Sequence, residues 1–252
     1  MGTSHFLGQN FSKPFEVKFA DKDNVEHFAW QTSWGVSWRL IGAMIMAHGD
    51  DKGLVLPPKV APMQVVIVPI YRNDEAKNIV LSKVKDIQNE LESKDIRIHV
   101  DDREGLSPGY KFNDWELKGV PLRIEIGPKD IENQIGVVAQ RYNLENISLG
   151  FSEIDKIPVI LDEIQIEMLK KAKEQSDSNT LNISDYSDFK SKVEKGGFFN
   201  SPWCGKVECE DKIKEETGAE IRVIPFNSEN SSKECIYCKE QSTSIPIFAR
   251  GY

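Results

Sequence analysis

Apolar and polar positions follow three successive patterns along this chain. In the first, Phe15, Val17 and Phe19 are separated by single polar residues, and that period of two predicts a half-buried strand over 15–19. Residues 29–37 read as a second strand and residues 38–48 as an apolar helix. The run from Leu54 to Pro58, followed by Ala61 and Pro62, breaks regular structure because proline fixes φ and lacks an N–H donor. A boundary near residue 62 follows.

The second pattern alternates strand with helix. The short apolar run 64–70 predicts a buried strand. A helix over 74–94 follows from Ile79, Val80, Lys83, Val84, Ile87 and Leu91 at helical spacing. Then come a strand over 96–100, a short helix over 112–117 stopped by Gly119, and strands over 122–126 and 136–141. Such alternation predicts a mainly open α/β sheet. The third pattern opens on a long amphipathic helix over 160–175 and a polar linker over 176–180. Beyond lie a helix over 186–195, a cysteine-bearing region, a strand over 220–226 and an apolar run over 245–249. The chain reads as a multidomain α/β and α+β protein divided into 1–62, 63–157, a helix and linker over 158–180, and 181–252.

Composition narrows this little. A length of 252 residues exceeds what one core usually serves. Hydrophobic and charged shares of 39% and 29% describe an ordinary soluble globular protein. No run approaches the roughly 20 apolar residues of a membrane span, and the start lacks the basic-then-apolar pattern of a secretory signal. A cytoplasmic protein without membrane contact is expected. The formal net charge of −8 excludes a general polyanion binder. It leaves room for a shaped RNA pocket, which works by stacking and base-edge hydrogen bonds as well as phosphate contacts.

Four cysteines cluster near one end. Cys204 and Cys209 lie five apart, and Cys235 and Cys238 form a C-x-x-C pair. Two closely spaced pairs supply the four thiolates that tetrahedral zinc needs. No histidine or water-holding carboxylate stands out beside them, so a closed structural site is expected rather than a catalytic one. Free buried cysteines or two disulfides are the alternatives.

Two segments near the start carry further chemistry. Ser33, Gly35 and Ser37 share one face of a strand by the period of two. A face without bulk leaves room for a ligand to lie flat on the sheet. Arg39 follows at the same parity, which brings a guanidinium over that face to meet a phosphate or carboxylate. Gly42 then permits close packing of the following helix. The competing reading is a face covered by another element, with Arg39 in an ordinary ion pair. His5, within Thr3-Ser4-His5, is by itself as well explained by a structural hydrogen bond.

In order and spacing these segments resemble prolyl-tRNA synthetases of the archaeal and eukaryotic cytoplasmic type. The resemblance covers nearly the whole chain: Thr3-Ser4-His5 with Leu7-Gly8-Gln9-Asn10-Phe11, Thr32-Ser33-Trp34-Gly35, and His48-Gly49-Asp50-Asp51 with Gly53-Leu54-Val55-Leu56-Pro57-Pro58. It continues through Asp101-Asp102-Arg103, Pro108-Gly109-Tyr110-Lys111-Phe112, Trp115-Glu116-Leu117-Lys118-Gly119 and Gly127-Pro128-Lys129-Asp130. Pro202-Trp203-Cys204, the Cys235/Cys238 pair and a terminal Gly251-Tyr252 complete it.

The resemblance implies the C-terminal edge of a class II antiparallel catalytic sheet, an α/β anticodon-binding domain and a small zinc-binding α/β domain. It implies a proline–tRNA ligase that uses ATP and Mg²⁺ to form prolyl-adenylate, then charges tRNA-Pro, working as a homodimer through its full catalytic domain. Residues 33–42 are similar to the third class-defining motif, which makes Arg39 the catalytic, ATP-phosphate arginine. By the same resemblance Thr3 lies beside the ATP ribose, while His5, Ser33 and Gly35 line the proline pocket. Phe112, Glu116, Arg123, Lys129 and Asp130 are implied to read the anticodon, with Phe112 stacking on an unpaired base. For Arg103 and Lys111 the simplest reading is solvated surface charge. Trp38 stands where the family usually has a small polar residue, and strand parity points it away from the pocket. The family's first two motifs precede the region present here, so a fragment inactive alone is expected.

Overall fold

The computed structural model describes residues 2–226, 228 and 233–251. Tyr252, the residue that resembles the family's tyrosine terminus, lies outside them. Two compact units divide the chain between Met168 and Leu169.

The first unit begins with β1 (Gly2–Gly8), β2 (Lys18–Ala20), β3 (Glu26–Phe28), β4 (Gln31–Val36) and the helix α1 (Arg39–His48). β1 pairs antiparallel with β4, and β2 with β3. The strand expected over 15–19 starts only at Lys18. Phe15 donates its N–H to the Phe11 carbonyl and Glu16 takes a φ of +52°, so a turn occupies the front of that segment. Among residues 2–48 only Ser12 is buried.

The core of this unit lies in the strand–helix region. It contains β5 (Val65–Pro69), α2 (Asp74–Glu92), β6 (Ile98–Val100), α3 (Pro108–Leu117), β7 (Leu122–Ile126), α4 (Pro128–Glu132), β8 (Ile135–Gln140) and β9 (Asn146–Gly150). The sheet order is β6-β5-β7-β8-β9, parallel through the first three strands and antiparallel thereafter. Every residue of β5 is buried, as a central strand covered on both faces requires. Val65 and Ile67 pack toward Val80, Val84, Ile87 and Leu91 of α2. Val66 and Val68 face Trp115 of α3 on the other side. Ile79, included in the expected apolar stripe, is exposed. Side-chain caps from Asn73 and Ser107 start α2 and α3 by accepting the N–H groups of Ala76 and Tyr110.

The helix α5 (Ile157–Ser178) buries Ile157, Leu161, Ile164 and Met168, and it runs through 176–178, expected as linker. No helix of the described residues is long and apolar enough to cross a membrane.

The second unit holds β10 (Thr180–Asn182), α6 (Tyr186–Val193), β11 (Phe198–Asn200), α7 (Val207–Thr217), β12 (Ala219–Val223) and β13 (Ile247–Arg250). Its sheet order is β10-β11-β13-β12. Phe189, Phe199, Phe248, Ile213 and Ile236 form its small core. The helix α7 carries Cys209 in its first turns and ends at Gly218, whose φ of +72° lies in the left-handed region that favours glycine.

Candidate functional site

The β1–β4 register sorts the N-terminal residues onto two unlike faces. Thr3 lies opposite Gly35 and His5 opposite Ser33. Directly opposed residues of an antiparallel pair project to the same side, so these four share one face. Ser4, Phe6, Thr32 and Trp34 occupy the other. The lean face is open: a Cβ added at Gly35 would meet no atom within 4 Å.

Arg39 needs a corrected placement. The strand ends at Val36, two residues short of what the parity argument required, and Arg39 is the first residue of α1 with Trp38 as its N-cap in helical conformation. Strand parity therefore fixes neither Arg39 nor Trp38, whose ring is 87% exposed. The Arg39 side chain is exposed and makes no ion pair among the described residues. A Cβ added at Gly42 would meet nothing within 4 Å, so no close helix contact requires a glycine there in this chain. α1 buries no residue at all, which explains why no neighbour approaches.

A second site lies beside α3. A cavity of about 180 Å³ is lined by Lys52, Glu116, Arg123, Gln140, Arg141 and Asn146, among others. Arg123 projects from β7, and its guanidinium lies 4.3 Å above the Phe112 ring. Its Nε and Nη2 both donate to Glu125 Oε1, at 3.1 and 2.9 Å. Phe112, expected to stack on a base, thus spends one ring face as a platform for Arg123. Trp115 is core: it is buried, and its indole N–H donates to Asp101 at 2.7 Å. Lys129 and Asp130 lie in α4, past the end of β7, and do not line the cavity. The Asp130 carboxylate accepts the Gly127 N–H at 2.7 Å, a helix-capping bond. Glu116 and Arg123 are brought together, with Phe112 underneath; Lys129 and Asp130 stand apart from this cavity.

The segment after α1 docks onto the C-terminal end of α3. The side chain of Arg141 is 3% exposed and donates Nη1 and Nη2 to Asp50 at 2.9 and 2.5 Å, and Nε to the Glu116 carbonyl at 2.9 Å. Lys52 Nζ lies 3.2 Å from Glu116 Oε1. Leu54 N–H donates to the Leu117 carbonyl at 3.0 Å. A Cβ at Gly53 would sit 2.6 Å from that same carbonyl oxygen, so only glycine permits this approach. Arg141 holds the Asp50 carboxyl down to about 2. Sequence reasoning gave these residues no role. Asp50 and Gly53 stood in a matching motif, but a pattern of residues does not reveal the pairing partner 91 positions away.

Lys111 is not the solvated charge expected, and Arg103, 41% exposed, is paired rather than free. Lys111 is buried, donating from Nζ to the Asp101 carbonyl at 2.9 Å, and Arg103 forks onto the Asp101 carboxylate at 2.9 and 2.7 Å. Burial alone would raise the Asp101 carboxyl. Arg103, the Trp115 N–H and the Lys111 ammonium outweigh it and hold that carboxyl well below the usual range.

In the second unit the Sγ atoms of Cys204, Cys209, Cys235 and Cys238 all lie within 4.8 Å of one another. Cys204 Sγ is 3.5 Å from that of Cys209 and 3.7 Å from that of Cys238. A tetrahedral metal with sulfur at about 2.3 Å needs sulfur–sulfur edges of about 3.8 Å, so the donor set fits. All four are free thiols, which removes the disulfide alternative. Burial pushes the Cys209 and Cys204 thiols up. Cys235 feels the same push, but backbone N–H groups of Cys238 and Tyr237 aimed at its sulfur hold it below the ordinary value.

Two family models match the chain: an anticodon binding domain over residues 64–158 and the C-terminal domain of prolyl-tRNA synthetase over residues 186–252. A proline–tRNA ligase of Cenarchaeum symbiosum is 55% identical over 256 residues, covering all of this chain and 53% of that protein. Proline–tRNA ligase 2 of Clostridioides difficile is 47% identical, again over the whole chain and 52% of its own length. The crystal structure of prolyl-tRNA synthetase from Cryptosporidium parvum, complexed with halofuginone and AMPPNP, superposes with a TM-score of 0.92 at 39% identity, covering 100% of this chain and 52% of that one. The chain spans about half the length of the relatives it matches.

Proposed function

Because the chain belongs to the prolyl-tRNA synthetase family, we propose that it serves proline–tRNA ligation, as the part that closes one side of the proline site and reads the anticodon. The domain scheme is an edge of the catalytic domain over 1–62, an anticodon-binding domain over 63–157, a helix and linker over 158–180 and a zinc-binding domain over 181–252. Tertiary support for the first assignment is the open face shared by Thr3, His5, Ser33 and Gly35, which carries the reading. A compact imino acid lies on Ser33 and Gly35 with His5 at its edge, and the ATP ribose sits by Thr3. Arg39 places its guanidinium against the phosphates, stabilising the charge that builds there as the proline carboxylate attacks the α-phosphate. No protein nucleophile is required, since positioning and electrostatics supply the rate. Mg²⁺ accompanies ATP as part of that substrate. The relative solved with AMPPNP supports an adenine nucleotide as ligand.

Glu116 and Arg123 read an anticodon guanine of tRNA-Pro: the carboxylate accepts N1–H and N2–H, and the guanidinium donates to O6 and N7. Lys129 and Asp130 serve the neighbouring nucleotide from α4. Zn²⁺ held by Cys204, Cys209, Cys235 and Cys238 would be structural, supplying stability to a unit with a thin core. The site is closed, with no position left for a substrate. Dimerisation through the full catalytic domain and a cytoplasmic location complete the proposal.

Charging of tRNA-Pro with labelled proline, by the protein expressed from its complete reading frame, tests this. Prolylation that depends on ATP is expected. Failure to charge tRNA-Pro under conditions where a relative succeeds contradicts the assignment.

A further inference from the structure

Lys52 lies outside the residues matched by the anticodon-binding family model, 64–158, yet it lines the same cavity as Glu116 and Arg123. We propose that Lys52 is a specificity-determining residue of the anticodon site, donating to O6 of the guanine whose N1–H and N2–H are accepted by Glu116. This rests on the reading of that cavity as the anticodon pocket.

Recognition of a guanine turns on the order of its donors and acceptors. The Watson–Crick edge of guanine runs O6 acceptor, N1–H donor, N2–H donor. Its complement must therefore run donor, acceptor, acceptor. The two oxygens of Glu116 supply the acceptors, and the Lys52 ammonium, 3.2 Å from Oε1, supplies the donor beside them. Together they present what a cytosine would present. Adenine offers an amino donor where O6 stands and a bare N1, so it meets the ammonium with a donor and the carboxylate with an acceptor. Mispairing both groups is what makes the site reject it. Arg123 then reaches the other lone pair of O6 and N7 from the opposite edge of the ring, so the two cations do not compete.

Three features hold Lys52 in this role. The two carboxylate contacts of Arg141 fix Asp50, two residues before it. The Lys52 N–H donates to Asp50 Oδ1 at 2.9 Å, closing the turn. Gly53 and Leu54, immediately after, lie against the Leu117 carbonyl. The ammonium is thus delivered by a docked turn rather than a free loop. The Glu116 side chain is 22% exposed and that of Lys52 is 56% exposed, and both line the cavity, so the pair is accessible to a ligand.

The test uses the 252-residue chain and hairpin RNAs carrying the anticodon loop of tRNA-Pro, with each anticodon guanine replaced in turn by adenine. Wild-type chain should prefer guanine at one position through Lys52. Lys52→Met should reduce that preference about tenfold, the worth of one hydrogen bond to a charged group, and should leave the preference at the other position unchanged. Lys52→Arg should restore most of it. Equal weakening of all hairpins by Lys52→Met, with a shallower salt dependence, would make Lys52 a phosphate contact and overturn the proposal. Unchanged binding by Lys52→Met would overturn it as well. A wild-type chain indifferent to both guanines would sink the anticodon reading itself, a result separable from the other two because it needs no variant.

Discussion

Replacing Asp50 by asparagine should loosen the junction between the segment after α1 and the end of α3. Arg141 holds the Asp50 carboxyl at about 2. Against the ordinary value of 3.8 this corresponds to roughly 2 kcal/mol. The Asp50 side chain is 42% exposed, and solvent screening reduces the figure to about 1 kcal/mol. Asparagine keeps one acceptor oxygen, so the variant leaves one of the two Nη donors of Arg141, 3% exposed, facing an amide N–H₂, which costs about 1 kcal/mol more. A total of about 2 kcal/mol should raise local opening about thirtyfold. The assay is amide hydrogen exchange at Leu54 and Leu56, whose N–H groups bond the carbonyls of Leu117 and Gly119. The sign with pH follows from the lowered carboxyl. Its stabilisation is fully present above the unfolded value near 4 and is lost as pH falls toward about 2, so the gap between wild type and variant should shrink over that window. Exchange within twofold of wild type at neutral pH would refute the claim that this pair docks the segment.

Three further outcomes are expected. Cys235→Ser should abolish bound zinc, one ion per chain by elemental analysis in the wild type, and strip exchange protection from α7 and β13 while leaving α2 protected; retained metal or intact protection would contradict a four-thiolate site. Asp101→Asn should destabilise the first unit by about 3 kcal/mol, because Arg103 and Lys111 lose their shared carboxylate; calorimetry showing a change under about 1 kcal/mol would argue against that network. Arg39→Ala in the complete ligase should slow adenylate formation by about a hundredfold or more while sparing affinity for tRNA-Pro, and equal losses in both would count against the phosphate role.

Where burial set the pattern, the sequence was a good guide. β5 sits in a core covered on both faces and its apolar run is nearly coextensive with the strand, while β7 buries Leu122, Ile124 and Ile126 in the alternation that marked it. The helix α2 likewise follows its stripe of Val80, Val84, Ile87 and Leu91. Where burial is absent the pattern misleads. Phe15 and Val17 alternate like strand residues but lie exposed in and beside a turn. α7 was missed because it carries Val207, Cys209 and Ile213 as its main apolar positions, too few for a stripe. Pairings across long separations were also hidden: the Asp50–Arg141 fork and the Lys52–Glu116 contact arise only when the chain folds back on itself. The four cysteines were legible as a cluster because two closely spaced pairs are the pattern a four-thiolate site requires.

The most direct test of the proposed proline site is to fill it. A side chain at Gly35 meets no protein atom within 4 Å, so Gly35→Val removes space from the lean face with little demand on folding. In the complete ligase, proline-dependent exchange of pyrophosphate into ATP should show a proline KM raised at least about a hundredfold, with tRNA-Pro affinity unchanged. A proline KM equal to that of the wild type would mean that no substrate lies against Thr3, His5, Ser33 and Gly35.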